Sequence, residues 1–188
     1  MSYLPTERKV YYYRMQGSHC LFADERIKKH LIDLISEIRE RDGWLLFAFC
    51  IMDDDAYFII EAGKIAAVVR SILISVRRLL CQTAASDRRR SAGAALKSRI
   101  ELTGQTQKLD TLPEIVECCR SIHRIPLNRG YVCRLEDYWW SSYPSYTGLH
   151  VWESVDQRVV SLYFSTDPDV ARKKLKKFHT AGAERLTG

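Results

Sequence analysis

Apolar residues recur along this chain first with a period of two and then with a period of 3.6, and that alternation leaves few architectures open. Val10 to Met15 is aromatic and β-branched, as a strand requires. Asp24 is placed to cap a helix whose apolar residues fall at Ile27, Leu31, Leu34, Ile35 and Ile38. The same spacing puts Glu25, Lys28, Lys29, Glu37 and Arg41 on its wet side, and Gly43 ends it. Trp44 to Met52 and Ala56 to Glu61 read as two strands, with Asp53, Asp54 and Asp55 at their junction. Ile65, Val68, Val69, Ile72, Val76, Leu79 and Leu80 predict a second helix from Lys64 to about Thr83. A weak alternation from Leu96 to Leu102 predicts a fourth strand. Leu112 to His123 predicts a third helix, stopped at Pro126.

Strand–helix–strand–strand–helix–strand is the ferredoxin-like order, so the expected class is α+β: an antiparallel sheet with helices on one face. A C-terminal helical extension follows, in which Asp167 and Pro168 supply a cap and a first-turn residue. Ala171, Leu175 and Phe178 form the apolar side of that helix, surrounded by Arg172, Lys173, Lys174, Lys176 and Lys177. The expected division is a core over 1–134 and, over 135–188, an aromatic segment and helical extension packed on it. At 46% hydrophobic and 28% charged residues, disordered and collagen-like chains are excluded. The longest apolar runs, such as Trp44 to Met52, reach about half of the roughly 20 residues a membrane span needs. Met1 to Val10 is polar rather than an apolar signal, so the expectation is a cytoplasmic protein without a membrane partner. Of the six cysteines, none forms a Cys-x-x-Cys pair, and Cys118 and Cys119 are adjacent, which is poor geometry for one tetrahedral metal. Reduced thiols are expected, with Cys50 and Cys81 as small core residues.

Charge is more informative by segment than in sum. Fourteen of the 29 basic residues but only 5 of the 23 acidic ones lie between Lys64 and Arg134, leaving the rest of the chain with more acid than base. That concentration points to a polyanion-binding face. Its candidate phosphate contacts are Arg70, Arg77, Arg78, Arg88, Arg89, Arg90, Lys97, Arg99, Arg120, Arg124 and Arg129. Tyr138, Trp139, Trp140 and Tyr143 are aromatic enough either to stack bases or to close a core over the sheet.

The run Ser121-Ile122-His123-Arg124-Ile125-Pro126-Leu127-Asn128-Arg129-Gly130-Tyr131-Val132 resembles a stretch of the single-tyrosine HUH transposases of insertion sequences, including the REP-associated tyrosine transposases. That family writes it Tyr-Ile-His-x-Asn-Pro-Val-x-x-Gly-x-Val. Glu136 to Tyr143 is similar to the family's Asp-Tyr-x-Trp-Ser-Ser-Tyr, and Asp42-Gly43-Trp44 with Phe49 to Met52 is similar to the approach to its metal motif. The matches run in order from about Tyr11 to Phe178. The resemblance implies metal-assisted transesterification on single-stranded DNA, in which a helix-borne tyrosine attacks a phosphodiester and two histidines hold a divalent ion.

At the positions the resemblance assigns to chemistry, this chain differs. The histidine pair becomes Asp55 and Tyr57, the nucleophile becomes Ser121, and the polar residue one turn later becomes Ile125. The expected function is therefore a DNA-binding protein derived from an insertion-sequence transposase. It would bind single-stranded or hairpin DNA without cleaving it, need no cofactor, and be compatible with a homodimer. One alternative is an active transposase in which Asp53 and Asp55 hold magnesium or manganese and Ser121 attacks. Another is a protein-interaction or regulatory module using the aromatic segment and the basic tail helix.

Overall fold

The structure, a computed structural model, describes residues 8–17, 20–86 and 101–181. Strands β1 (Lys9–Gly17), β2 (Leu45–Ile51), β3 (Asp55–Ala62) and β4 (Leu102–Leu109) form one antiparallel sheet in the order β2-β3-β1-β4. Helix α1 (Glu25–Asp42) connects β1 to β2 and α2 (Ile65–Ser86) follows β3. This is the expected ferredoxin-like core. After the sheet come α3 (Leu112–His123), α4 (Ile125–Asn128), α5 (Tyr143–Thr147), α6 (Arg158–Tyr163) and α7 (Pro168–Thr180). No helix among the described residues is long and apolar enough to cross a membrane.

Local chemistry explains most boundaries. Asp24 accepts the Arg26 backbone N–H at 2.8 Å, and Gly43 closes α1 in the left-handed region at φ +68°. A capping box opens α3: Thr111 accepts from the Glu114 N–H and the Glu114 carboxylate accepts from the Thr111 N–H. Asp167 caps α7 by accepting from Asp169 and Val170. Pro126 does not stop α3, which ends at His123; the proline sits in the first turn of α4, where a missing N–H costs nothing.

The sheet is covered on both faces. Tyr13, Met15, Phe58 and Ile60 pack against Leu31 and Ile35 of α1 and Val68, Ile72 and Val76 of α2. On the other face Val10, Cys50, Tyr57 and Ile59 pack against Ile115, Val116, Cys119 and Ile122 of α3. The two crossover helices thus share a face as expected, and α3 supplies the second layer. Cys50 is buried, whereas Cys81 is only half-buried.

Two further expectations need correction. The fourth strand is Leu102–Leu109 rather than 96–102, whose first residues lie outside the described ones. It is an edge strand with only its terminal leucines buried, so Thr103 to Lys108 carry no apolar alternation to read. Lys28, expected on the wet side of α1, is buried and its Nζ lies 2.7 Å from Asp53 Oδ1.

The segment after α4 covers the other sheet edge. Ile51 N–H donates to Trp140 O, Ser142 N–H to Phe49 O, and Asp156 N–H to Leu46 O, at 2.8–2.9 Å, so β2 is not left with an open edge. Ser142 Oγ also accepts the Phe49 N–H at 2.9 Å and lies 2.7 Å from His123 Nε2. His123 Nδ1 lies 3.0 Å from His179 Nε2, and His179 Nδ1 lies 3.0 Å from Leu175 O. One assignment satisfies every group: His179 donates to Leu175 O, His123 donates to His179, and Ser142 donates to His123. Both rings are then neutral, as burial requires, since desolvation lowers His123 well below its ordinary pKa and His179 to about 4. The chain of bonds ties α7, α3 and β2 together.

Ser142→Ala orphans the Phe49 N–H and His123 Nε2, and is expected to lower unfolding stability by roughly 1–3 kcal/mol in urea titrations. Because the folded histidines resist protonation while unfolded ones accept a proton near pH 6.5, stability is full above that pH. It is lost as pH falls toward about 4. Between pH 6.5 and 5 the loss should approach about 1.4 kcal/mol per pH unit for each histidine, and His179→Gln should flatten it. An unchanged slope in that variant would refute the assignment.

Candidate nucleic-acid interface

Asp53, Asp54 and Asp55 make the tight connection between β2 and β3. Backbone bonds hold it: Gly17 N–H to Asp54 O, Phe22 N–H to Asp53 O, and Met52 N–H to Asp55 O. Asp55 is the first residue of β3, only 1% exposed, on the sheet face that also carries Tyr57. Its carboxylate meets cations from two sides. Arg14 of β1 donates from Nη2 to Oδ1 at 3.0 Å and to Oδ2 at 3.2 Å, and from Nε to Oδ1 at 3.2 Å. Arg129, just after α4, donates from Nη2 to Oδ2 at 3.0 Å and to the Tyr57 hydroxyl at 2.8 Å, and reaches Asp54 at 3.2 Å through Nη1.

The Tyr57 hydroxyl donates to Asp55 Oδ2 at 3.0 Å. Burial and the neighbouring Asp55 charge push its pKa far above the usual phenol value, so it stays a neutral donor. Both guanidinium groups lie near its ring, 5.7 and 6.0 Å from the centroid. Asp53 is held by Lys28 and by the Tyr131 hydroxyl at 3.2 Å. Asp53, Asp54 and Asp55 thus face Arg14, Lys28 and Arg129, three charges of each sign.

This donor set does not fit the divalent ion that the transposase resemblance implies. Both Asp55 oxygens accept from guanidinium groups, and Tyr57 offers a protonated hydroxyl. A dication here would sit between two fixed positive charges. Among the described residues no group of three or more His, Cys, Asp or Glu is arranged to hold a metal.

Ser121 is exposed on α3, and its hydroxyl donates to Glu117 O at 2.9 Å. His123 cannot serve it as a base, because that ring is buried and engaged at both nitrogens. Ile125 packs into the apolar cluster that includes Tyr57. The four positions aligned with reaction chemistry are accordingly a carboxylate engaged by two guanidinium groups, a phenol beside it, an unassisted hydroxyl and a half-buried isoleucine.

The basic residues separate into two groups. Arg70, Arg77 and Arg78 are exposed on α2, the layer of α1, and Arg77 also donates to Leu102 O at 3.3 Å. Arg120, Arg124 and Arg129 lie on or just after the α3–α4 side of the sheet. Arg88, Arg89, Arg90, Lys97 and Arg99 fall outside the described residues. Arg120 and Arg124 reach across to α7, donating to Ala181 O and His179 O. With Glu117, Ser121, Asn128 and Ala181 they line a cleft of about 220 Å³. Of the four aromatic candidates, Tyr138 and Tyr143 are buried and Trp140 is half-buried; Trp139 is 55% exposed, edge-on to His150.

Sequence reasoning missed Arg14 and the pairing of His123 with His179. Alternation in β1 held a signal for the first, since it puts Arg14 on the face of Tyr12, opposite Tyr13 and Met15. The histidine pair is separated by 56 positions and had no such signal.

No protein-family model matches the chain, and no curated protein does. Among solved structures, a REP-associated tyrosine transposase bound to a REP hairpin superposes with a TM-score of 0.58 at 10% identity. The match covers 83% of this chain and 98% of that one. The chain has that transposase's fold.

Asp55→Asn removes the carboxylate that holds Arg14 and Arg129 together, and is expected to cost about 3 kcal/mol in denaturant unfolding. Millimolar manganese or magnesium should leave the wild-type melting temperature unchanged. A clear rise with either ion would show that the ion cluster yields to a metal.

Proposed function

We propose that this chain is a DNA-binding protein derived from an insertion-sequence transposase, which binds single-stranded or hairpin DNA without cutting it. The observation that carries the reading is a contrast. The transposase fold is kept over most of the chain, while two of the aligned reaction positions, Asp55 and Tyr57, are held by Arg14 and Arg129 in an ion cluster and the other two, Ser121 and Ile125, have no part in it. The hairpin-bound transposase supports the target class, since binding by backbone charge and stacking needs neither metal nor nucleophile. Arg70 and Arg78 on one side, and the lysines of α7 on the other, are exposed and suited to phosphate contacts; Trp139 is suited to stacking. We assign the core to 1–134, treat 135–188 as its extension, and expect the protein to work in the cytoplasm.

Fluorescence anisotropy with a labelled DNA hairpin and a linear single strand tests this. Affinity should fall with salt with a log–log slope steeper than about −2, as for three or more phosphates at about −0.7 each. No binding at low salt would overturn the reading and favour a protein partner. After incubation with manganese, denaturing gels should show no covalent protein–DNA adduct; an adduct lost in Ser121→Ala would restore an active transposase.

A further inference from the structure

The cleft beside Ser121 is separate from the Asp55 cluster. Asp55 faces Arg14 and Arg129, and Ile125 packs toward Tyr57. The cleft instead opens between the α3–α4 flank bearing Glu117, Arg120, Ser121, Arg124 and Asn128 and the end of α7 at Ala181. We propose that it is a phosphate-binding subsite, taking one phosphate group of a nucleic-acid strand. This rests on the DNA-binding reading above and names the ligand chemistry of one part of it.

Several observations converge. Arg120 and Arg124 are one helical turn apart and so project to the same side. Each anchors only part of its guanidinium: Arg120 to Ala181 O and Glu117, and Arg124 to His179 O. These bonds fix both forks, one of which lies over the Phe178 ring at 5.0 Å, so little entropy remains to be lost when an anion arrives. Nε and Nη2 of Arg124 have no partner among the described residues. Asn128 has an amide without a described partner, and the Ser121 hydroxyl, donating to Glu117 O, can still accept.

At about 220 Å³ the cleft is smaller than the roughly 300 Å³ where small-molecule pockets begin, so it suits a phosphate with part of its sugar rather than a whole nucleotide. Lys176 and Lys177, exposed in the last turns of α7, add positive charge at the same end. Glu117 is the one opposing charge lining the cleft, and it is paired with Arg120 at 2.9 Å.

The test uses the full chain and two probes, inorganic phosphate and a short oligonucleotide carrying either a 5′-phosphate or a 5′-hydroxyl. The phosphorylated strand should bind about tenfold more tightly than its hydroxyl form if a terminal group enters, and equally if an internal diester does. In either case Arg124→Ala should weaken strand binding about tenfold. Because Arg124 also anchors α7, two variants that leave that contact intact accompany it. Ser121→Asp places a carboxylate in the cleft and should weaken binding to a similar degree. Glu117→Gln should tighten it roughly two- to fivefold by removing the opposing charge.

Inorganic phosphate should compete with the strand in wild type and not in Ser121→Asp. If neither variant changes strand affinity while steep salt dependence persists, the cleft assignment is wrong and the DNA-binding reading stands. If phosphate binds in a Ser121-dependent way but no strand does, the DNA-binding reading fails and the cleft is a site for a free phosphate compound.

Discussion

Every residue of β3 is buried, and a strand enclosed on both faces dictates the rest of the molecule. A ferredoxin-like core with two helices shields only one side of its sheet. The second side, bearing Tyr57 and Ile59, would expose a broad apolar surface without α3. Placing α3 there creates a further need, because β2 is an edge strand whose backbone groups must find partners in a wet environment or be covered. The stretch from Trp140 to Asp156 meets that need with backbone bonds to Leu46, Phe49 and Ile51. The extension is thus part of how the sheet is completed.

The same enclosure governs the ion cluster. Asp55 lies at the buried end of a two-sided strand, where an unpaired carboxylate costs several kcal/mol. The chain answers with guanidinium groups from β1 and from the turn after α4, two segments joined to β3 by different routes. Such a cluster is a poor source of net stability, since desolvating the charges offsets most of their attraction. It is effective at fixing geometry: the bonds of Arg129 to Asp54, Asp55 and Tyr57 pin the α4 turn to the strand junction. Positive charge supplied by side chains occupies the place where the transposase resemblance implies an ion. The scaffold can keep its shape there without metal.

What is legible in the sequence follows from how local each cause is. The caps of α1 and α7, the left-handed stop at Gly43 and the order of the core elements depend on neighbouring residues, and all can be read directly. β4 cannot, because an edge strand exposed along its length has no need of an apolar period. The exposure of Lys28 is misread for the opposite reason: a long stem can bury on an otherwise wet helical position when a carboxylate waits 2.7 Å away on another segment. The basic stretch from Lys64 to Arg134 looks continuous in one dimension. The fold divides its described part between two sides of the sheet, because β4 lies between α2 and α3 in the chain.

The buried histidines and the cleft are mechanically one arrangement. His179 is held through its ring by His123 and through its carbonyl by Arg124, so the last turn of α7 is gripped from two sides of α3. The cleft has a second wall only while that turn is docked, because Ala181 follows directly from it. A neutral hydrogen-bonded chain in the interior thereby sets the spacing of charged groups at the surface. Changes in the two should be coupled rather than additive, since the bond from Arg124 to His179 O joins them.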